Sequence, residues 1–134
     1  ELGLHFHMGQ SDGDVREARR RLGQDLMIGL SISNLAQLRT ELLDQTADVL
    51  GLSPIWSTPT KTDTDPPLEL PGAKQVVDLT AGRAKTVAIG GINRINAPWV
   101  IDTGVDGICV VSAIMSAPDP LAAAEELMSF WRPR

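Results

Sequence analysis

Residues 49–61 of the chain read VLGLSPIWSTPTK. The first four residues have the length and composition of a strand that is buried on both faces, as strands of parallel sheets are. The rest is a loop rich in hydroxyl groups, with two prolines and a lysine, and such groups donate hydrogen bonds to phosphate oxygens. Taken alone, the loop is equally typical of a solvated surface connection. Its position in a repeated pattern favours anion binding.

An apolar run that ends in small or polar residues occurs five times. The runs are Leu4–Met8, Leu26–Leu30, Val49–Leu52, Thr86–Ile89 and Gly107–Val111. Each is predicted to be a strand of a parallel sheet. In α/β sheets the active-site chemistry gathers at the C-terminal ends of the strands. Functional residues are therefore expected at these endings.

Helical spacing of apolar residues fills the gaps between the runs. The predicted helices begin with N-caps at Asp14, Asn34, Asn93 and Asp119, and at Gly72 after the long loop. Glycines 23, 82 and 104 are predicted stops. The resulting βαβαβαβαβα order predicts an α/β fold with a parallel sheet and helices outside it. Because a complete (β/α)8 barrel takes roughly 250 residues, five units predict part of a barrel or an open sheet.

Composition limits the function classes. The chain has 134 residues, 43% of them hydrophobic, which predicts a single domain over residues 1–134. A net charge of -5 argues against nucleic-acid binding. The single cysteine, Cys109, is predicted to be a small buried side chain, and disulfides are excluded. No leader and no apolar segment of membrane-spanning length are recognised, so a cytoplasmic protein without membrane partners is expected.

Several stretches occur together in one order and spacing. They are His7–Asp12 (HMGQSD), Ile28–Ser31 (IGLS), Pro54–Lys61 (PIWSTPTK), Val87–Ile92 (VAIGGI), Gly104–Gly107 (GVDG) and Val111–Ile114 (VSAI). In these stretches the chain resembles thiamine phosphate synthase, whose fold is a TIM (β/α)8 barrel. The resemblance implies a partial barrel of about five βα units, corresponding to strands 4 to 8.

Two patterns of that family do not occur in the chain: a Gln-x-Arg-x-Lys strand that grips pyrophosphate and an Asn-Asp pair that binds substrate and metal. We therefore expect a fragment that lacks the N-terminal three βα units. The alternative is that a partner, such as a second copy in a homo-oligomer, supplies the missing strands. An open apolar edge is a hazard that stable proteins rarely leave uncovered.

The resemblance implies a transferase with two small-molecule substrates, a pyrimidine pyrophosphate and a thiazole phosphate, and with Mg²⁺ as cofactor. It assigns Asp12 as a ligand of the metal. It assigns Ser31 and Lys61 as catalytic residues that contact the pyrophosphate. It assigns the thiazole phosphate to Thr58, Pro59, Thr60, Gly91, Val111 and Ser112. The alternatives without a ligand are a helix cap for Asp12, a solvated side chain for Lys61 and a tight turn at Gly90-Gly91.

Other interpretations remain open at this point. A thiazole tautomerase of the same fold has a histidine where this chain has Ser33, and it lacks the Thr-x-Thr-Lys pattern, so the residues favour the synthase. A barrel that binds a thiazole phosphate without catalysis is a further alternative. Ser53 and Ser57 also depart from the family, which commonly has glycine and proline there. His5 and His7 alternate along a strand, and packing or hydrogen bonding is predicted for them rather than a metal pair.

Overall fold

The computed structural model describes residues 4–57 and 65–131. This part of the chain has five strands, each followed by a helix, and a sixth helix after the last of these: β1 Phe6–Met8, α1 Val15–Leu22, β2 Ile28–Ile32, α2 Leu35–Asp44, β3 Val49–Leu52, α3 Glu69–Thr80, β4 Lys85–Ile89, α4 Ala97–Asp102, β5 Gly107–Cys109, α5 Ser112–Met115 and α6 Pro120–Ser129. The strands form one sheet in the order β1-β2-β3-β4-β5, and all four neighbouring pairs are parallel. The predicted α/β fold with a parallel sheet is confirmed.

Three predicted helix caps are present. The side chains of Asp14, Asn34 and Asp119 accept hydrogen bonds from backbone N–H groups in the first turns of α1, α2 and α6. These bonds satisfy donors that have no partner within the helix. Gly23 ends α1 with a φ of 72°, as its position in the sequence indicates.

Several predicted boundaries are wrong. The second strand runs from Ile28 to Ile32 instead of from Leu26 to Leu30. At its start the carbonyl of Leu26 accepts from Arg19 Nη1 at 2.8 Å, and at its end Ser31 and Ile32 pair with Gly51 and Leu52. Ser31 therefore lies inside β2 and not after it.

The helix around Pro98 also begins later than predicted. Asn93 Oδ1 accepts from Ile95 N–H at 2.9 Å and so forms a local turn instead of a helix cap. The helix then starts at Ala97, which places Pro98 in the first turn, where its missing N–H costs no hydrogen bond. Helix α3 begins at Glu69, three residues before the predicted Gly72. The short helix α5 was not predicted, and β5 ends at Cys109 ahead of it.

The two faces of the sheet differ in what covers them. One face carries the buried side chains of the core, among them Leu30, Leu50 and Ala88, which pack with helix residues such as Leu38 and Val76. In parallel strands, paired residues point to the same face and alternate residues to opposite faces. The opposite face therefore holds His7, Gly29, Ser31, Gly51, Val87, Gly107 and Cys109.

Cys109 is exposed, so its prediction as a small buried side chain is wrong. It lies at the end of the outer strand β5, on the face opposite the helix-packed core. An apolar run in the sequence does not reveal which strand is outermost or which face a given residue takes.

Aspartates join neighbouring strands at the N-terminal edge of the sheet. Asp48, just before β3, accepts from the N–H of Ile28 at 2.8 Å. Asp106, just before β5, accepts from the N–H of Thr86 at 2.9 Å. Each carboxylate thus ties the start of one strand to the preceding strand. Hydrogen bonds to these aspartates stabilise the N-terminal edge of the sheet. The strand endings that are predicted to carry functional residues lie at the opposite, C-terminal edge.

Candidate active site

The C-terminal ends of the five strands lie along one edge of the sheet, as the parallel pairing requires. Asp12 follows β1, the Gly90-Gly91 pair follows β4, and Ser112 follows β5. Ser31 is the penultimate residue of β2. The structure therefore places these four predicted site residues at the same edge, which is the arrangement that a shared site needs.

Asp12 lies in the turn between β1 and α1. Its Oδ2 accepts from the N–H of Gly9 at 2.7 Å, and its own N–H donates to the carbonyl of Gly9 at 3.3 Å. The neighbouring Asp14 caps α1 and bonds to Arg16, and this hydrogen bond is the main reason why the pKa of Asp14 lies below its usual value. The two carboxylates are thus separated by role: Asp14 serves the helix, and Asp12 is held in the turn at the sheet edge.

Ser31 is held by two residues from β1 and the turn after it. His7 Nε2 lies 3.1 Å from Ser31 Oγ. Gln10 Nε2 donates to the carbonyl of Ser31 at 2.6 Å. The hydroxyl of Ser31 is therefore oriented by a neighbouring strand and is not a free strand-end group.

The long loop after β3 leaves the sheet through a hydrogen-bonded neck. Ile55 N–H donates to the carbonyl of Ile89 at 2.9 Å, and Trp56 N–H to the carbonyl of Gly90 at 3.2 Å. On the returning side, the N–H groups of Leu68 and Glu69 donate to the carbonyls of Pro54 and Ile55 at 2.9 and 3.0 Å. Thr58, Pro59, Thr60 and Lys61, predicted to bind the substrates, lie outside the described residues. Their assigned roles stay predictions.

Gly90 and Gly91 are required by contacts with that neck. They have φ angles of 106° and 68°, a region that favours glycine. A Cβ at Gly90 would lie 2.9 Å from Pro54 Cβ, and one at Gly91 would lie 2.9 Å from Trp56 Cβ. Asn96 Nδ2 fixes the carbonyl of Gly91 at 2.9 Å. The turn after β4 thus supports the loop after β3, in addition to any role in binding a ligand.

Val111 and Ser112 lie where β5 passes into α5. Val111 is the residue before the first turn of α5, and both residues are exposed. Their position at the C-terminal edge agrees with the prediction. Contact with a phosphate stays a prediction.

The metal assignment concerns the carboxylate of Asp12. Within residues 4–57 and 65–131, no three histidine, cysteine, aspartate or glutamate side chains gather into a metal-binding group. Mg²⁺ in phosphate-transfer sites is commonly held by one or two carboxylates together with substrate oxygens and waters. The exposed, anchored carboxylate of Asp12 fits one position in such a donor set. His5 is hydrogen-bonded, as predicted, since its Nδ1 accepts from the N–H of Met27 at 3.0 Å.

Two glycines of this site were missed by sequence reasoning. Gly29 and Gly51 are interior residues of β2 and β3, and both are buried. Glycine inside a strand weakens it and often marks the close approach of another group. That signal was present in the sequence, and the close group is the imidazole of His7.

Comparison with known proteins places this edge in context. The sequence pattern of a family described as thiamine monophosphate synthase matches residues 4–114. The chain belongs to the thiamine monophosphate synthase family. The tautomerase alternative is not favoured.

Individual members of the thiamine monophosphate synthase family agree. The chain is 47% identical to a thiamine-phosphate synthase of a Psychrobacter species over 92% of the chain and 58% of that protein. It is 43% identical to the thiamine biosynthesis multifunctional protein ThiED of Corynebacterium efficiens over 98% of the chain and 19% of that protein. It superimposes on the thiamine phosphate pyrophosphorylase of Pyrococcus furiosus with a TM-score of 0.79 and 33% identity, covering 94% of the chain and 58% of that protein.

The chain is thus similar to part of each relative. It spans about three fifths of the length of the Psychrobacter synthase and one fifth of the Corynebacterium protein. Among the helices of residues 4–57 and 65–131, none is long and apolar enough to span a membrane.

Proposed function

We propose that the complete protein is a thiamine phosphate synthase. It joins 4-amino-2-methyl-5-hydroxymethylpyrimidine pyrophosphate to 4-methyl-5-(2-phosphoethyl)thiazole and releases pyrophosphate. The match of residues 4–114 to the family carries this proposal. The position of Asp12, Ser31, Gly91 and Ser112 at one sheet edge supports it. Because the chain spans 58% of the Psychrobacter relative, the activity is assigned to the complete protein.

The proposed reaction exchanges one bond for another. The bond between the pyrimidine methylene carbon and the pyrophosphate oxygen breaks, and its electron pair leaves with the pyrophosphate. The lone pair of the thiazole ring nitrogen then forms the new C–N bond. A dissociative route passes through a pyrimidine cation. The site must therefore stabilise the leaving charge with fixed donors and keep water away from the cation.

Ser31 and Lys61 are the proposed donors to the leaving pyrophosphate. A hydroxyl held in place by a neighbouring strand costs little reorganisation when negative charge develops beside it. The contacts of Ser31 with His7 and Gln10 support such a role. An ammonium group on the loop would add charge as the loop closes, as the resemblance implies for Lys61.

The second anion in the proposal is the phosphate of the thiazole. Gly91, Val111 and Ser112 would contact it from the turns after β4 and β5, and Thr58, Pro59 and Thr60 from the long loop. Loops after the last two strands of a barrel frequently bind phosphate through backbone N–H groups. The hydrogen bonds between the loop neck and Ile89 and Gly90 support this pairing of loops.

Asp12 is the proposed protein ligand of Mg²⁺ in this part of the chain. Bound Mg²⁺ would offset the negative charge on the departing pyrophosphate as a Lewis acid. The hydrogen bond from Gly9 N–H would hold the carboxylate in one orientation toward that position. A second carboxylate is expected from outside the matched stretches, as the family pattern implies.

Asp12→Ala tests the metal assignment, with Asp14→Ala as the matched control. We expect Asp12→Ala to raise the Mg²⁺ concentration for half-maximal thiamine phosphate formation by at least about tenfold, since even loss of a residue that only supports a metal ligand commonly costs that much. Asp14→Ala removes a carboxylate two residues away that caps α1. It should lower the melting temperature and leave the Mg²⁺ requirement unchanged.

The same assay tests the proposed function itself. Thiamine phosphate formation by the complete wild-type protein supports it, and absence of the product under Mg²⁺ with both substrates contradicts it. If Asp12→Ala and Asp14→Ala need the same Mg²⁺ concentration as wild type, the metal role of Asp12 is wrong while the synthase assignment stands.

The expected partners are the two small-molecule substrates, without nucleic acid, in the cytoplasm. The ThiED relatives are multifunctional proteins in which the matched part is about a fifth of the length. A further thiamine-biosynthesis domain on the same polypeptide is therefore a proposal worth testing, by sequencing the gene beyond the segment that encodes these residues. Strands supplied by another part of the protein or by a second copy remain part of this proposal.

A further inference from the structure

We infer that His7 is a positioning residue that acts through Ser31, fixing the serine hydroxyl so that it can donate a hydrogen bond to an anion. This inference deepens the proposed function and rests on it for the identity of the anion, a pyrophosphate group. The direct observation is the distance of 3.1 Å between His7 Nε2 and Ser31 Oγ.

The sheet provides a fitted space for the imidazole ring. A Cβ at Gly29 would lie 2.3 Å from His7 Nδ1, and one at Gly51 would lie 3.2 Å from His7 Cε1. His7 pairs with Gly29, and Ser31 pairs with Gly51, so all four residues share one face of the sheet. Any larger residue at Gly29 would occupy the place of the ring. Glycine weakens a strand, and both β2 and β3 nevertheless have a glycine where the ring lies.

The hydroxyl group needs such a partner because it rotates freely. A serine hydroxyl has one proton to donate and two lone pairs to accept with. When His7 Nε2–H donates to Ser31 Oγ, the hydroxyl proton is directed away from the ring and is free to bond an anion. Gln10 fixes the backbone of the same residue by donating to the Ser31 carbonyl at 2.6 Å. Both the main chain and the side chain of Ser31 are thus restrained from β1 and the turn after it.

The first test compares two substitutions at His7 in the complete protein. His7→Leu fills similar space without a donor, and His7→Gln keeps an N–H group at a similar distance from the backbone. We expect His7→Leu to lower kcat/KM for the pyrimidine pyrophosphate by about tenfold, the equivalent of one hydrogen bond. His7→Gln should restore most of that loss, and KM for the thiazole phosphate should change little in either variant. Equal losses in both variants would contradict donation by His7.

A double-mutant cycle shows whether His7 acts through Ser31. Ser31→Ala removes the hydroxyl, so adding His7→Leu to it should cause no further loss if the two residues act as one unit. Losses that multiply would overturn the inference. The dissociation constant of inorganic pyrophosphate is measured on the same four proteins by calorimetry. If the wild type makes no thiamine phosphate, the proposed function is wrong. The inference about His7 is then upheld if His7→Leu weakens pyrophosphate binding in the wild type but not in Ser31→Ala. It is overturned if His7→Leu has the same effect in both proteins or no effect in either.

Gly29→Ala tests the space for the ring while both polar side chains, His7 and Ser31, keep their identity. We expect it to reproduce the kinetic loss of His7→Leu, because the new methyl group would displace the imidazole. Gly107→Ala is the matched control: it is also a strand glycine on this face, and its Cβ would meet Val87 Cγ2 at an ordinary 3.5 Å. A folded Gly29→Ala variant with wild-type kinetics would overturn the inference. If Gly29→Ala does not fold, as judged by circular dichroism, the two His7 variants decide.

Discussion

Asp106 joins two strands through a single carboxylate. Its Oδ2 accepts from the N–H and the hydroxyl of Thr86 at 2.9 and 3.0 Å, and its Oδ1 accepts from Lys85 Nζ at 3.0 Å. Burial acts to raise the pKa of Asp106, but the hydrogen bonds from Thr86 and Lys85 outweigh it, so the pKa lies below its usual value. The stabilisation is therefore present above the pKa of the unfolded chain and is lost as the pH falls through the lower, folded pKa.

Substitution of Asp106 should consequently destabilise the fold in a pH-dependent way. Asp106→Ala leaves the buried N–H of Thr86 without its carboxylate, which costs about 1–3 kcal/mol at pH 7. The difference from wild type should shrink as the pH is lowered below the usual pKa of an aspartate and through the lower, folded pKa of Asp106. Urea unfolding at several pH values measures it. Asp78→Ala is the control, since it removes an exposed carboxylate that pairs with Lys74 on α3; equal effects of the two substitutions at pH 7 would contradict the role given to Asp106.

At the scale of elements, the turn after β4 holds the neck of the loop after β3. Gly91→Ala should displace Trp56, because the added Cβ would lie 2.9 Å from Trp56 Cβ. We expect KM for the thiazole phosphate to rise by about tenfold, equivalent to about 1.4 kcal/mol of binding, with a smaller change for the pyrimidine pyrophosphate. Steady-state kinetics of the complete protein, with each substrate varied in turn, measures both values.

Gly82→Ala is the control for backbone strain. Gly82 has a φ of 75°, close to the 68° of Gly91, but nothing lies within 4 Å of the position that its Cβ would take. The unfavourable φ should therefore lower the free energy of unfolding by a similar amount in both variants. Only Gly91→Ala should alter the kinetics. A shared kinetic loss would mean that the contact with Trp56 does not matter.

The elements also show where sequence reasoning succeeds. The apolar runs and the caps at Asp14 and Asn34 predict strands and helices because their signals are local. The late start of α4 was missed, since it depends on the side chains of Asn93 and Asn96 accepting from backbone N–H groups of one turn. The helix at Ser112–Met115 was missed as well, and it begins without a side-chain cap. The position of Asp12 and Gly91 at one edge follows from the parallel direction of the strands that they follow. The contact of His7 with Ser31 depends on the register between β1 and β2, which the alternation within each strand does not specify.

For the whole molecule, the sheet of the described residues has two outer strands. In β1 the side chain of Phe6 is exposed, and beside β5 lies a cavity of about 410 Å³ lined largely by apolar side chains such as Ile108, Ile114 and Trp131. Parallel strand edges and apolar surface of this kind are normally covered in α/β proteins. The resemblance to a closed eight-stranded barrel gives a reason for the uncovered surface, because closure of the sheet would cover both edges.

The proposal that these residues are part of a closed barrel leads to a prediction about the 134 residues expressed alone. We expect them to form no thiamine phosphate, because the family's Arg and Lys for the pyrophosphate and its second metal-binding carboxylate belong to patterns that these residues do not contain. The thiazole phosphate should still bind, more weakly than to the complete protein, since its proposed contacts all lie within residues 58–112. Product formation by chromatography and thiazole phosphate binding by calorimetry, with the complete protein as reference, measure the two expectations. Clear turnover by the 134 residues would show that Asp12, Ser31 and Lys61 suffice for the leaving pyrophosphate, and the need for donors outside these residues would then be wrong.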